Sequence, residues 1–257
     1  MGDSVLVIYK NIIKMNYGLI LAGGTGQRMR SSGMPKQFLM VYGKPIIIYT
    51  VEKFVACHDI DSIVIACNPQ YIDYMKKLLS IYPMEKKIDV ISGGKNRQKS
   101  IQNGIDFIYE NGGCENDIVV IHDGVRPLIE DNIISENIRV ARKSGCAMTV
   151  KPVIESVIIT SKEQVSFDDF KKRDDTYSLT SPQTFKLSIL VKAYRDVENV
   201  ESPIPLLDAA LAYTYMGNEI PLVKEYNHNI KITTPEDYYI LKALVELQEN
   251  KNVFGLN

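Results

Sequence analysis

The 257-residue chain contains no apolar run of about 18 residues or more, so no stretch of it reads as a membrane-spanning helix. It carries almost no net charge, −1 at neutral pH, which excludes a global basic field that would draw it onto nucleic acid or an anionic membrane. Any site for a nucleotide must then be built from local cations. Cysteine is sparse. Cys57, Cys67, Cys114 and Cys146 form no CxxC pair and have no histidine at metal-ligand spacing, so a structural zinc site is not expected. They read as buried or incidental thiols of a reducing compartment, and the expected location is the cytoplasm. The opening residues, Met1 to Lys10, are apolar but short, and lack the basic n-region and small-residue cleavage site of a signal peptide. Gly2 is no myristoylation site, because Leu6 stands where that signal prefers Ser or Thr. The start is Met1 or, more plainly, Met15; in the second case residues 1–14 would be an extension that has no role in the fold.

What is present is the composition of a globular protein long enough to bury one large core without staples. Short β-rich runs alternate with helical periodicities. Strands are expected at Tyr17 to Ala22, Ser62 to Cys67, Lys87 to Ser92, Asp117 to His122 and Ala147 to Val153. Helices are expected at Pro45 to Ala56, Tyr71 to Ile81, Arg97 to Tyr109 and Asp131 to Ser144. That order predicts an α/β fold, a Rossmann-like and mostly parallel sheet flanked by helices. Ligands of such sheets sit at the carboxyl ends of the strands, so the turns after Leu21, Ile91 and Val120 are where chemistry is expected. The segment 155–177 is polar and charge-rich. Its two β-like pieces, Ser156 to Thr160 and Gln164 to Phe167, predict a protruding arm. Beyond it the pattern predicts helices at Leu187 to Arg195, Leu207 to Tyr215 and Pro235 to Leu247, and a strand at Pro221 to Glu225. No linker or repeat divides the chain, so residues 15–250 are expected to form a single catalytic domain that includes the arm.

The strongest local signal is Leu21-Ala22-Gly23-Gly24-Thr25-Gly26-Gln27-Arg28-Met29. Glycines after a buried strand let backbone N–H groups approach phosphate oxygens. It is not the dinucleotide fingerprint, which needs glycine where Met29 stands, nor the P-loop, which ends in Gly-Lys-Ser/Thr. A sharp strand-to-helix turn can use the same glycines without any ligand. What favours a phosphate site is that Arg28 and Lys36 follow on the same segment. A planar guanidinium and a compact ammonium are the groups that neutralise charge growing on a phosphoryl centre.

This glycine loop, with Pro35-Lys36-Gln37-Phe38-Leu39 and Gly43-Lys44-Pro45-Ile46-Ile47 after it, resembles the polyol-phosphate cytidylyltransferases. That family includes enzymes for 2-C-methyl-D-erythritol 4-phosphate and for D-ribitol 5-phosphate. Later segments match in order: Gly93 to Ser100, Ile121-His122-Asp123-Gly124-Val125-Arg126-Pro127, Ser181-Pro182-Gln183, and Asn229-Ile230-Lys231-Ile232-Thr233-Thr234-Pro235. The resemblance implies a nucleotide-diphospho-sugar-transferase type of fold and a nucleotidyltransferase activity. Leu21, Ala22, Gly23 and Gly24 would hold the CTP base and phosphates. Gly93, Gly94, Lys95, Asn96, Arg97 and Ser100 would read cytosine and ribose, with Gly124 on the wall. Arg28, Lys36 and Lys231 would serve catalysis. Asp123 would hold Mg²⁺ and Asp208 would be a second acidic position near it, although a helix N-cap competes for Asp208. His122 is not needed as a base, since a phosphate-monoester acceptor is already an anion at neutral pH.

By the same resemblance Ser156, Arg173 and Lys231 would bind the acceptor's phosphate. In relatives the 155–177 arm reaches across a homodimer, so Ser156 and Arg173 would serve the partner's site. Read on its own, Arg173 is one member of a solvated charge cluster with Lys171, Lys172, Asp174 and Asp175. Met34, Phe38 and the Asn96-Arg97 pair look more like the ribitol branch. The segment after Ser156 lacks the basic residue that methylerythritol enzymes often carry. The expected reaction is therefore CTP with D-ribitol 5-phosphate, giving CDP-ribitol for wall or capsule polymers such as teichoic acid. Methylerythritol phosphate and isoprenoid synthesis are the alternative. A sugar-1-phosphate nucleotidyltransferase and a non-catalytic nucleotide-binding regulator are the remaining classes.

Overall fold

A computed structural model describes residues 14–24, 33–197, 200, 208–226 and 228–254. Arg28 and the expected extension up to residue 13 lie outside the described residues. Strands β1 (Asn16–Ala22), β4 (Ser62–Cys67), β5 (Lys87–Ser92), β6 (Ile118–Asp123), β7 (Cys146–Pro152), β10 (Tyr177–Lys186) and β11 (Leu222–Lys224) form one sheet. The order across it is β11-β7-β10-β6-β1-β4-β5. Neighbours pair in parallel except β10, which runs antiparallel to both β6 and β7.

The strands form because their residues are β-branched and buried on both faces, as a helix-covered parallel sheet requires. Each residue of Ser62–Cys67 and of Ile118–Asp123 is buried. Alternate residues feed two cores. Ile20, Ile63, Ile65 and Val120 point to the face covered by helices α1 (Ile46–Ala56), α2 (Ile72–Ile81) and α4 (Asp131–Ser144). Leu19, Val64, Val119 and Ile121 point to the face covered by α3 (Arg97–Glu110), α5 (Leu187–Asp196) and α6 (Ala209–Tyr215). Helix α7 (Pro235–Phe254) closes a smaller cluster with Val41, Ile46, Val125 and Ile232. Residues Met40–Val41 (β2) and Lys44–Pro45 (β3) form a short hairpin before α1.

From β1 the chain moves outward to β4 and β5, then crosses back through α3 to β6 on the other side of β1. The crossover through α3 covers the face opposite to α1 and α2, and the crevice at the carboxyl ends of β1 and β6 is left open. This is the switch point where open α/β sheets bind ligands.

The strand at Tyr177–Lys186 is not foreseen by the sequence pattern. Ser181, Gln183 and Thr184 are buried polar residues in its middle, so it shows no apolar alternation. Its pairing with β7 shifts register between Leu179 and Gln183, around Pro182, as a proline in a strand demands. The arm is a hairpin, but its strands are Val157–Ile158 (β8) and Phe170–Lys171 (β9), not the Gln164 to Phe167 piece expected. Ser166 and Asp169 form a reciprocal capping box there, and Phe167–Asp169 becomes a 3₁₀ turn. The helix expected from Leu207 is described from Ala209, with Asp208 as its N-cap and Leu207 outside the described residues. The last helix runs to Phe254, beyond the Leu247 expected.

Candidate active site

Three strand ends build a cleft of about 370 Å³. The end of β1 contributes Leu21, Ala22, Gly23 and Gly24. Gln37, only 1% exposed, donates through Nε2 to the carbonyls of Ala22 at 2.9 Å and Gly24 at 3.0 Å. That one amide pins the glycine loop and sets Lys36, its neighbour on the Lys36–Phe38 turn, into the cleft. Phe38 anchors the turn by packing against Tyr71 and Tyr74, with ring centroids 5.4 and 5.1 Å away.

Beyond β5 the loop into α3 contributes Gly94, Lys95, Asn96, Arg97 and Ser100. Gly93 donates its N–H to the Cys67 carbonyl and shapes the loop from behind. The Gly94 N–H donates to Ser100 Oγ at 3.0 Å, and that hydroxyl donates to the Asn96 carbonyl at 2.9 Å. Asn96 caps α3 by accepting from the Lys99 N–H at 2.8 Å. A Cβ on Gly94 would lie 2.4 Å from Lys99 Cβ and 2.6 Å from the Lys99 carbonyl carbon, so this tight loop admits only glycine.

Beyond β6 stands Asp123, buried to 6% exposure. Its Oδ1 accepts from Arg97 Nη1. Its Oδ2 lies 3.2 Å from Arg126 Nε and 3.0 Å from Lys231 Nζ. Burial alone would push this carboxyl up; the Arg97 guanidinium, then Lys231 and Arg126, overcome that and hold it far below the usual carboxylate range. Among the described lining residues, Lys36, Lys95, Arg97 and Lys231 face Asp123 as the single acid. A polyanion entering here would meet cations already fixed in place. His122, fully buried, is pushed down to about 4 by that burial, so it is neutral at ordinary pH.

Most of the residues expected to bind nucleotide thus meet in one cleft, together with Lys36, Asp123 and Lys231. Others fall elsewhere. Gly124 is buried beneath the cleft. Its N–H donates to the Leu21 carbonyl, and a Cβ there would meet Ile47 Cδ1 at 2.7 Å, so it packs rather than lines. Asp208 accepts from the Leu211 N–H at 2.9 Å as a helix cap and is not among the residues lining the cleft. Ser156 and Arg173 are exposed on the arm, away from the lining. Arg28 lies outside the described residues. Sequence reasoning missed Gln37, Val125 and Arg126. For Gln37 the signal was available, an amide between a glycine loop and a lysine. Arg126 pairs locally with Asp123 and acquires its other partner, the Asn229 carbonyl, only through the fold.

A mostly parallel sheet with a glycine turn and converging cations at its switch point defines a nucleotidyltransferase fold. The family model for 2-C-methyl-D-erythritol 4-phosphate cytidylyltransferase (IspD) matches residues 17–247, and the chain belongs to that family. Curated relatives bear a different name within it. The ribitol-5-phosphate cytidylyltransferase of Vibrio parahaemolyticus is 42% identical over 241 residues, spanning 94% of this chain and 100% of its own length. That of Streptococcus agalactiae is 36% identical over 245 residues, with 94% and 100% coverage. Among solved structures, 4-diphosphocytidyl-2C-methyl-D-erythritol synthase from Anaerococcus prevotii superposes with a TM-score of 0.77 at 23% identity, covering 91% of this chain and 96% of that one. At that identity it speaks for the fold alone. The Francisella tularensis 2-C-methyl-D-erythritol 4-phosphate cytidylyltransferase gives 0.71 at 27% identity, covering 89% and 98%.

Proposed function

We propose that the protein transfers the cytidylyl group of CTP to the phosphate of D-ribitol 5-phosphate. A phosphate oxygen of the acceptor attacks the α-phosphorus in line. The bond from that phosphorus to the α,β-bridging oxygen breaks, and pyrophosphate leaves with CDP-ribitol as the other product. The observation that carries the reading is the cationic cleft at the sheet's switch point, occurring in a chain that matches ribitol-5-phosphate cytidylyltransferases along nearly their whole length.

The residues divide the work by position. The Gly93 to Ser100 loop and the Leu21 to Gly24 turn would hold the nucleoside and phosphates through backbone groups. A site built on specific hydrogen bonds disfavours a base that leaves them unpaired. Lys36 and Lys231 would neutralise charge on the reacting phosphorus, as would Arg28. Positioning and charge neutralisation dominate phosphoryl chemistry, so no general base is required.

Magnesium fits the donor set in a limited sense. Among the described residues no three or more Asp, Glu, His or Cys side chains are grouped so that they could hold a metal ion. Asp123 stands as a lone buried carboxylate in the cleft, which suits an ion held chiefly by phosphate oxygens with one protein ligand. Bound there with CTP, Mg²⁺ would supply charge neutralisation of the phosphates. The arm supports a homodimer reading. Ile154, Ile159 and Phe167 are 74%, 66% and 88% exposed, an apolar surface of the kind that packs against a partner. In that arrangement Ser156 and Arg173 would reach a second copy's cleft.

The test is pyrophosphate release with CTP and Mg²⁺, run in parallel on D-ribitol 5-phosphate and 2-C-methyl-D-erythritol 4-phosphate. Preference for the ribitol ester is expected. Preference for the methylerythritol ester would assign the other acceptor. Turnover only with UTP or GTP and a sugar 1-phosphate would remove the cytidylyl reading.

A further inference from the structure

Behind the cleft, four side chains from three separate segments close a hydrogen-bonded circuit. His122 Nε2 lies 3.1 Å from the Arg126 carbonyl. Arg126 Nη1 donates to the Asn229 carbonyl at 2.8 Å. Asn229 Nδ2 donates to the Ser181 carbonyl at 2.7 Å. Ser181 Oγ returns to His122 Nδ1 at 2.9 Å. The tautomer follows from the partners. A carbonyl can only accept, so Nε2 carries the ring proton, and Nδ1 accepts from the serine hydroxyl. The Ser181 oxygen then has a lone pair facing the Asp123 N–H, 3.4 Å away. His122, Ser181 and Asn229 are 0%, 1% and 6% exposed, so water competes little for these bonds.

We propose that His122 is a positioning residue whose imidazole locks this circuit, and through it sets Lys231 and Asp123 relative to each other. The route is short. His122 fixes the carbonyl of Arg126, so the 123–126 turn holds one shape. The Arg126 side chain then bridges Asp123 Oδ2 and the Asn229 carbonyl. Asn229 lies two residues before Lys231, whose ammonium meets the same Asp123 oxygen. The loop that gripped CTP in the reading above, Gly93 to Ser100, supplies no member of the circuit. That loop touches Asp123 through Arg97, so disturbing His122 should misplace the groups that act at the reacting phosphate far more than it weakens nucleotide recognition. This rests on the cytidylyl-transfer reading only for what the held groups do.

The experiment compares His122→Ala, His122→Asn and His122→Gln. Glutamine can return a donor to the Arg126 carbonyl. Asparagine can return only the acceptor for Ser181. Losing the lock should lower kcat roughly a hundredfold, the scale on which small misplacements act. In His122→Ala and His122→Asn that fall should come with KM for CTP and CTP-induced thermal shift close to wild type. His122→Gln should recover most of the loss. A second readout needs no turnover: acylation of Lys231 by an amine-directed reagent, followed by mass spectrometry, should quicken several-fold in His122→Ala. Loss of CTP binding in step with kcat, or unchanged Lys231 labelling in a folded His122→Ala, would overturn the proposal. Wild-type protein that releases no pyrophosphate, yet shows the labelling change, would leave the circuit standing and refute the reading of the reaction instead.

Discussion

The cleft and the arm are opposite kinds of surface on one chain. In the cleft, charge is concentrated and answered from within. Asp123 is met by Arg97, Arg126 and Lys231, and the glycine loop by Gln37. In the arm, apolar side chains stand in solvent and the hairpin is held by only two short strands, β8 and β9. The contrast separates what one chain can complete by itself from what it cannot. The cleft is shaped within one chain, by the ends of β1, β5 and β6 together with the Lys36–Phe38 turn, the start of α3 and Lys231. The arm leaves Phe167 and Ile159 uncovered.

The comparison is broken most severely by removing a cleft cation. Lys36→Ala or Lys231→Ala should reduce kcat by about 10²–10³, the scale seen when one preorganised charge partner of a reacting oxyanion is removed. Pyrophosphate release at saturating CTP measures it, and a change below a few-fold would mean that the residue only binds. Next comes the arm. Phe167→Glu should shift the protein toward monomer in light scattering and, if Ser156 and Arg173 serve a second copy, lower turnover while the CTP-induced thermal shift stays unchanged. A dimer that persists with full activity would move the interface elsewhere. Gly94→Ala tests the cleft's backbone. The added methyl cannot fit against Lys99, so KM for CTP should rise about tenfold, in line with the one to three kcal/mol that overpacking costs.

The smallest effect concerns Glu225, buried to 1% exposure with one carboxylate oxygen unpartnered. Burial pushes its carboxyl up. A folded value above the unfolded one means that its contribution to stability is fully present below the ordinary glutamate range and is lost as pH rises through the raised value. Glu225→Gln should therefore unfold at a slightly higher temperature than wild type near neutral pH, with the difference vanishing in mild acid. Melting curves across that window decide it, and a variant less stable at every pH would show that the charge itself is needed.

How much of this was legible beforehand follows from which forces write themselves into local sequence. Ser62–Cys67, Lys87–Ser92 and Asp131–Ser144 were readable to the residue, because β-branched runs and amphipathic periodicity are local and their partners are generic. The cleft residues were readable as motifs. Tyr177–Lys186 was not, since Ser181 and Gln183 in its middle bury a hydroxyl and an amide against His122 and Ala210, and no periodicity records that. Gly124 read as part of the nucleotide wall through the resemblance, and a motif match does not distinguish the wall of a pocket from the packing beneath it. Asp208 shows the same limit, since a carboxylate before a helix serves a cap or a metal equally well until the partner atoms are known.

The lone antiparallel strand also has a consequence for synthesis. β10 lies between β6 and β7, which are made earlier and have no pairing with each other. Until the ribosome has delivered Tyr177–Lys186, both strands present unpaired backbone edges on a growing chain, and such edges invite pairing with other molecules. The exposed apolar side chains of the arm, Ile159 and Phe167 among them, emerge in that same interval. A stalled or truncated product ending near the arm would be the species that chaperones must hold.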